Sequence, residues 1–104
     1  MRRRVVVLGI LGATLLASAV GAHEEFRVAG IISAYQPPLL QVERPDHTQT
    51  VVRLDGQTKV TQDATDVPAA TLKPGLGVIV DAWGDDESDL LALAIRIVPP
   101  QEAR

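Results

Sequence analysis

The 104-residue chain contains no cysteine. That excludes disulfides, thiolate metal sites, a cysteine nucleophile and a lipid anchor carried on cysteine. Methionine occurs once, at Met1, and histidine twice, at His23 and His47. Aromatic residues are just as scarce: Phe26, Tyr35 and Trp83 are the whole set. No glycine-rich phosphate loop is present, because "PGLG" (74–77) and "GDD" (84–86) read as turns. Ser33 and Ser88 have no nucleophile signature around them. These absences point away from an enzyme. Apolar runs are short too. The longest, Val5–Leu16, is well under the ~20 residues that a transmembrane helix needs.

What is there begins with an address. Arg2, Arg3 and Arg4 precede that apolar run, and small residues ending Val20-Gly21-Ala22 follow it. A basic start, a short apolar middle and a small-residue end predict a secretory signal peptide over 1–22. Cleavage is expected after Ala22, with Ala19 as the alternative; an uncleaved anchor is the competing reading. Loss of residues 1–22 takes the basic count from 10 to 7 against 13 acidic residues, leaving a net charge near −6. A domain so acidic is a poor partner for nucleic acid or an anionic membrane. The expected product is one small monomeric domain, 23–104, in the periplasm or secreted. It has no membrane insertion after cleavage, and its partner is a protein or small ligand.

From Phe26 onward the apolar residues recur with period two, the signature of strands with one buried face. In 26–35 ("FRVAGIISAY") Phe26, Val28, Gly30 and Ile32 fall on one side. Gly30 suggests a bulge or tight bend, and "QPP" (36–38) stops the strand. A second strand is expected at 39–43, then a polar turn, "RPDHTQ" (44–49). A third spans 50–61, with Val52 and Leu54 inward and a kink or turn at Asp55-Gly56. Asp66 is placed to cap a helical turn through 67–72. A fourth strand covers 76–84. A fifth covers 90–98, with Leu91, Leu93, Ile95 and Ile97 on one face, and 99–104 reads as a frayed tail. Three strands, a short helical link and two strands predict an all-β fold. Its form is a small five-stranded OB-like barrel with a short helical turn between strands three and four. A five-stranded sandwich or an SH3-like barrel is the alternative.

The segments "VAGIISAY", "LLQVE", "VVRLDGQTKVT", "ATLKPGLGVIVDAWG" and "LLALAIRIV" together resemble the secreted bacterial OB-like domains of the domain-of-unknown-function 5666 family. The matching positions are Gly30, Thr58 with Val60, Leu72-Lys73-Pro74-Gly75, Val78 with Val80, and Ala92 with Ile95. The resemblance covers nearly all of 23–104 and implies a fold. It transfers no catalytic residues. A more distant resemblance is to small periplasmic OB-fold metal carriers, whose copper members use methionines beside a tryptophan and a histidine. This chain has Trp83 but departs from that pattern, since Met1 falls within the leader.

Three sets of residues remain as candidates. A chain cut before His23 gains a terminal amine beside an imidazole, and His47 supplies a second imidazole. Such nitrogen ligands, with oxygen from Asp46 or Glu24, suit Cu(II). Against this, a histidine in a polar turn needs no role. Asp85, Asp86, Glu87 and Asp89 offer oxygens for calcium, but without the spacing of a known loop, so a solvated hairpin turn competes. Trp83, on the face opposite Val78 and Val80, forms with Tyr35 a candidate interaction face; its alternative role is to cap the core.

Overall fold

The structure, a computed structural model, describes residues 24–104. The expected leader and His23 lie outside the described residues. Among the described residues the fold is all-β, with seven strands in one sheet. They are β1 (Glu24–Gln36), β2 (Leu39–Glu43), β3 (Gln49–Arg53), β4 (Lys59–Gln62), β5 (Thr65–Asp66), β6 (Gly77–Gly84) and β7 (Leu90–Val98). Their order is β3-β2-β1-β6-β7-β4-β5, and β3 also pairs with β7. β1 serves two neighbours. Its first half pairs with β6, from Glu24↔Gly84 to Ile31↔Gly77, and its second half with β2, from Ile31↔Glu43 to Gln36↔Leu39.

Alternation builds the core. Val28 and Ile32 of β1, Leu40 and Val42 of β2, Val52 of β3, Val78 and Val80 of β6, and Ile95 of β7 are essentially inaccessible. Each such side chain contributes ~1.5–3 kcal/mol relative to exposure. Phe26 and Tyr35 pack partly buried against this cluster.

Seven strands replace the five expected, and the cause is local. The segment expected as one strand over 50–61 is broken in the middle. Asp55 Oδ1 accepts from the Gln57 amide (2.8 Å), and the Asp55 amide donates to Thr58 Oγ1 (3.0 Å). The two pieces run parallel along one edge of β7: Val52↔Leu90 and Arg53↔Leu91 for β3, then Lys59↔Ala94 to Gln62↔Ile97 for β4. Between them Thr58 Oγ1 donates to the Ala92 carbonyl at 2.7 Å, supplying the ladder bond that the break removes. Thr58→Val keeps the shape and removes both that donor and the acceptor of the Asp55 amide. It is expected to cost about 1–2 kcal/mol, measurable as a lower urea midpoint at unchanged slope.

The other added strand, β5, comes from a tight hairpin. Asp63 and Ala64 take φ of 53° and 64°, and β4 turns back on β5 through Thr61↔Asp66 and Gln62↔Thr65. Asp66 is therefore a strand residue and not the expected cap. The helical turn is a single 3-10 turn at Ala69–Thr71, entered from Pro68 with no side-chain cap.

Three further expectations shift. Leu91 and Leu93 do not share the inward face of Ile95 and Ile97. The β6–β7 register slips between Asp81 and Ala82, because Asp81 pairs with Ala94 and Ala82 with Ala92. Leu93 is the extra residue of a bulge, and the phase of alternation flips across it. Gly30 sits outside the β1 irregularity, which falls between Ile32 and Ala34. Its role is close approach, since a Cβ there would fall on the Glu43 carbonyl. The segment after β7 is not frayed. Pro100–Ala103 form a 3-10 turn with Ala103 fully buried, and Gly77 leaves room for Pro100.

Candidate functional site

The slip at Leu93 determines what the outer surface carries. Residues directly paired across neighbouring strands share a face. Leu39 pairs with Arg53, Arg53 with Leu91, and Leu91 with Trp83, which pairs in turn with Glu25. Their neighbours Leu40, Val52, Leu90 and Ala82 are buried, so this row points outward. Leu39 is 47% exposed and Trp83 46%, and Val51, two residues before Arg53, is 45% exposed. Strands lie about 4.8 Å apart, so Arg53, Leu91 and Trp83 span roughly 10 Å.

A groove of ≈ 300 Å³ lies over this trio, lined by Arg53, Trp83, Gly84, Asp85, Asp89 and Leu91. A second, ≈ 200 Å³, lies over Leu39, Gln41 and Val51, next along the row. The acidic segment 85–89 forms the rim of the first. It is pinned from two sides, by Arg53 Nη1 to Asp89 Oδ1 (3.7 Å) and by Arg44 Nη1 to Glu87 Oε1 (3.6 Å). Such exposed pairs add little stability, but they give the loop a position. Inside it, Asp86 Oδ1 accepts from the amide and hydroxyl of Ser88. Those bonds hold the Asp86 carboxyl below the usual carboxylate range.

Asp46 does the same in the β2–β3 turn. Its Oδ1 accepts from Thr48 Oγ1 (2.6 Å) and the Thr48 amide (3.0 Å), which lowers its pKa. For both, the folded pKa lies under the unfolded value of about 3.9. Their contribution to stability is therefore present above that value and lost as the pH falls through the folded pKa. Carbon-detected NMR titration is expected to give both carboxyls midpoints below 3.9, rising toward it in Thr48→Ala for Asp46 and Ser88→Ala for Asp86.

His47 stands in the same turn with φ 71°, strongly exposed, its Nδ1 3.0 Å from Glu43 Oε2. It lines a larger groove, ≈ 540 Å³, with Gly30, Ile31, Glu43, Arg44, Pro45 and Arg104. Asp46 is turned onto Thr48 instead. The other imidazole of the expected copper set, His23, lies outside the described residues. Among the described residues, no three histidine, aspartate or glutamate side chains gather to hold a metal, the 85–89 cluster included. Tyr35 and Trp83 do not share a face. Tyr35 packs toward the core where β1 pairs with Leu40, whereas Trp83 faces outward beside Glu25.

Arg53, Leu91, Leu39 and Val51 join Trp83 here without having stood out in the sequence. Strict alternation assigns Leu91 to the interior, and only the slipped register places it outside. Comparisons of the chain with protein-family models, with curated proteins and with solved structures give no match.

Proposed function

We propose that this chain is an exported, non-enzymatic binding module of the bacterial envelope, built as an OB-like barrel, with its ligand face along Leu39, Arg53, Leu91 and Trp83. The pairing order supports the barrel. β1, β2, β3, β7 and β6 follow one another around a ring that returns to β1, with β3 parallel to β7. The β4–β5 hairpin and the 3-10 turn are inserted between the third and fourth strands of that ring. OB-folds bind ligands on the face of their second and third strands, flanked by the loop joining the first two strands and the loop joining the last two. Leu39 and Arg53 lie on β2 and β3, and the second of those loops corresponds here to 85–89. The basic leader and the net charge near −6 support export and argue against a nucleic-acid ligand.

The observation that carries this reading is the row itself: a half-exposed indole and two leucines aligned with an arginine across four strands. A photo-cross-linking residue in place of Leu91 is expected to give a discrete adduct from an envelope fraction. The adduct should disappear when Trp83 is also replaced by alanine. The same residue in place of Lys59, on β4, should give none. Equal labelling from both positions contradicts the reading.

Copper is the second reading. β2 runs back along β1 toward its start, and the turn holding His47 lies on that side of the sheet, level with Gly30 and Ile31. His47 and Glu43 would contribute two of the donors and His23 the remainder, in the tetragonal nitrogen and oxygen setting that Cu(II) prefers. Mass spectrometry of the exported protein should find His23 first. The Cu(II) paramagnetic resonance spectrum should change in His47→Ala. A chain starting at Val20, or an unchanged spectrum, removes this reading.

A further inference from the structure

Resting on the binding-module reading, we infer that the groove over Trp83 takes a neutral saccharide. The lining decides the ligand class by elimination. Arg53 presents donors, whereas Asp85 and Asp89 present acceptors. An anion that satisfies the guanidinium meets two carboxylates; a cation drawn to the carboxylates and the indole meets the guanidinium. A ligand without charge, carrying donors and acceptors together, fits both. Hydroxyl groups have that property, each offering one donor and two acceptor lone pairs.

The backbone narrows the class further. Arg53, Leu91 and Trp83 lie on strands paired with one another through these same residues. No free strand edge faces the groove between them, so an extended peptide has no ladder to join there. Recognition must come from side chains and from the apolar surface of Trp83 and Leu91. The C–H face of a pyranose ring is apolar while its rim is hydroxylated. It can lie on the indole and direct hydroxyls to the rim of the groove. At 3.7 Å Arg53 and Asp89 form an ion pair longer than a direct hydrogen bond. Ligand hydroxyls lying over the pair can accept from the Arg53 guanidinium and donate to the Asp89 carboxylate.

Trp83 is the only tryptophan, so its indole N–H gives one unambiguous NMR signal. The test is a titration of the labelled protein with maltotriose, cellotriose and triacetylchitotriose, each to ~10 mM, where a site with a Kd of ~1 mM is about nine-tenths filled. At least one is expected to shift the indole signal saturably, together with the amides of Arg53, Gly84, Asp85, Asp89 and Leu91. Trp83→Ala, its fold checked in the same spectra, should weaken binding at least ~10-fold. Asp89→Asn keeps the shape and should weaken it several-fold. Silence toward all three sugars, or shifts that map to other faces, overturns the inference. If the sugars are silent while the Trp83-dependent adduct at position 91 still forms, the ligand class is wrong and the face stands. If both fail, both fall.

Discussion

Ile95→Ala is expected to lower the unfolding free energy by about 2–5 kcal/mol, while Leu93→Ala, two residues earlier on β7, changes it by no more than ~0.5 kcal/mol. Ile95 is fully buried, paired with Val60 on one side and Val80 on the other. It stands on β7 between β4 and β6, so strands flank the cavity on both sides. Leu93 is the bulge residue and is 38% exposed. Without the bulge the two residues would share a face, and both substitutions would be costly. A domain of this size has roughly 4–12 kcal/mol in all, at 0.05–0.15 kcal/mol per residue. Ile95→Ala therefore removes a large share of it. Urea unfolding of the two variants, followed by Trp83 emission and by circular dichroism, measures both effects.

Gly30→Val is expected to cost about 3 kcal/mol or more. The position carries no positive φ; what it requires is emptiness. A Cβ there meets the Glu43 carbonyl oxygen and carbon and the Val42 side chain. Two of these contacts are backbone, so no rotamer change relieves them. β1 must move away from the end of β2, at the point where it passes from one partner strand to the other. Gly56 supplies the control, since a Cβ at that position has nothing within 4 Å. Gly56→Ala should stay within about ±0.5 kcal/mol of the parent protein. Comparable losses in both variants would mean that loss of backbone freedom, and not the Glu43 contact, sets the cost.

The fold was legible wherever alternation is unbroken. Val28 and Ile32, Val52 and Leu54, and Val78 and Val80 are buried as period two requires. The sequence hides the places where the period is interrupted. "LLALAIRIV" carries apolar residues in both phases, so nothing local marks Leu93 as the bulge. The partner strand settles it, through Ala82↔Ala92 and Asp81↔Ala94. The β4–β5 hairpin was missed for a related reason. Its turn residues are Asp63 and Ala64, both left-handed, and alanine lacks the glycine or asparagine signature of such turns. The break at 55–58 was half legible. Asp55-Gly56 announced a kink, but only Thr58 bonding to Ala92 across the gap explains why both pieces stay on β7.

The candidate face follows the same division. Trp83 was readable as outward, because it alternates with Val80 and Ala82. Arg53 was readable as outward too, opposite Val52 and Leu54, but its place beside Trp83 was not, because Arg53 and Leu91 reach Trp83 only through a parallel pairing between residues nearly forty positions apart and through a slipped register. Scarcity alone groups Tyr35 with Trp83, two of the three aromatic residues. The irregularity between Ile32 and Ala34 comes before it on β1, and Tyr35 packs against the core instead.

Everything proposed for the outer surface depends on Arg53, Leu91 and Trp83 standing side by side. Nuclear Overhauser spectroscopy on the methyl-labelled protein tests that juxtaposition most directly. Leu91 methyl protons are expected to show cross-peaks to the Trp83 indole ring and to the Arg53 side chain, with none to the methyls of Val60 or Ile95. Cross-peaks from Leu91 to those core methyls, and silence toward the indole, would put Leu91 inside the sheet and remove the face.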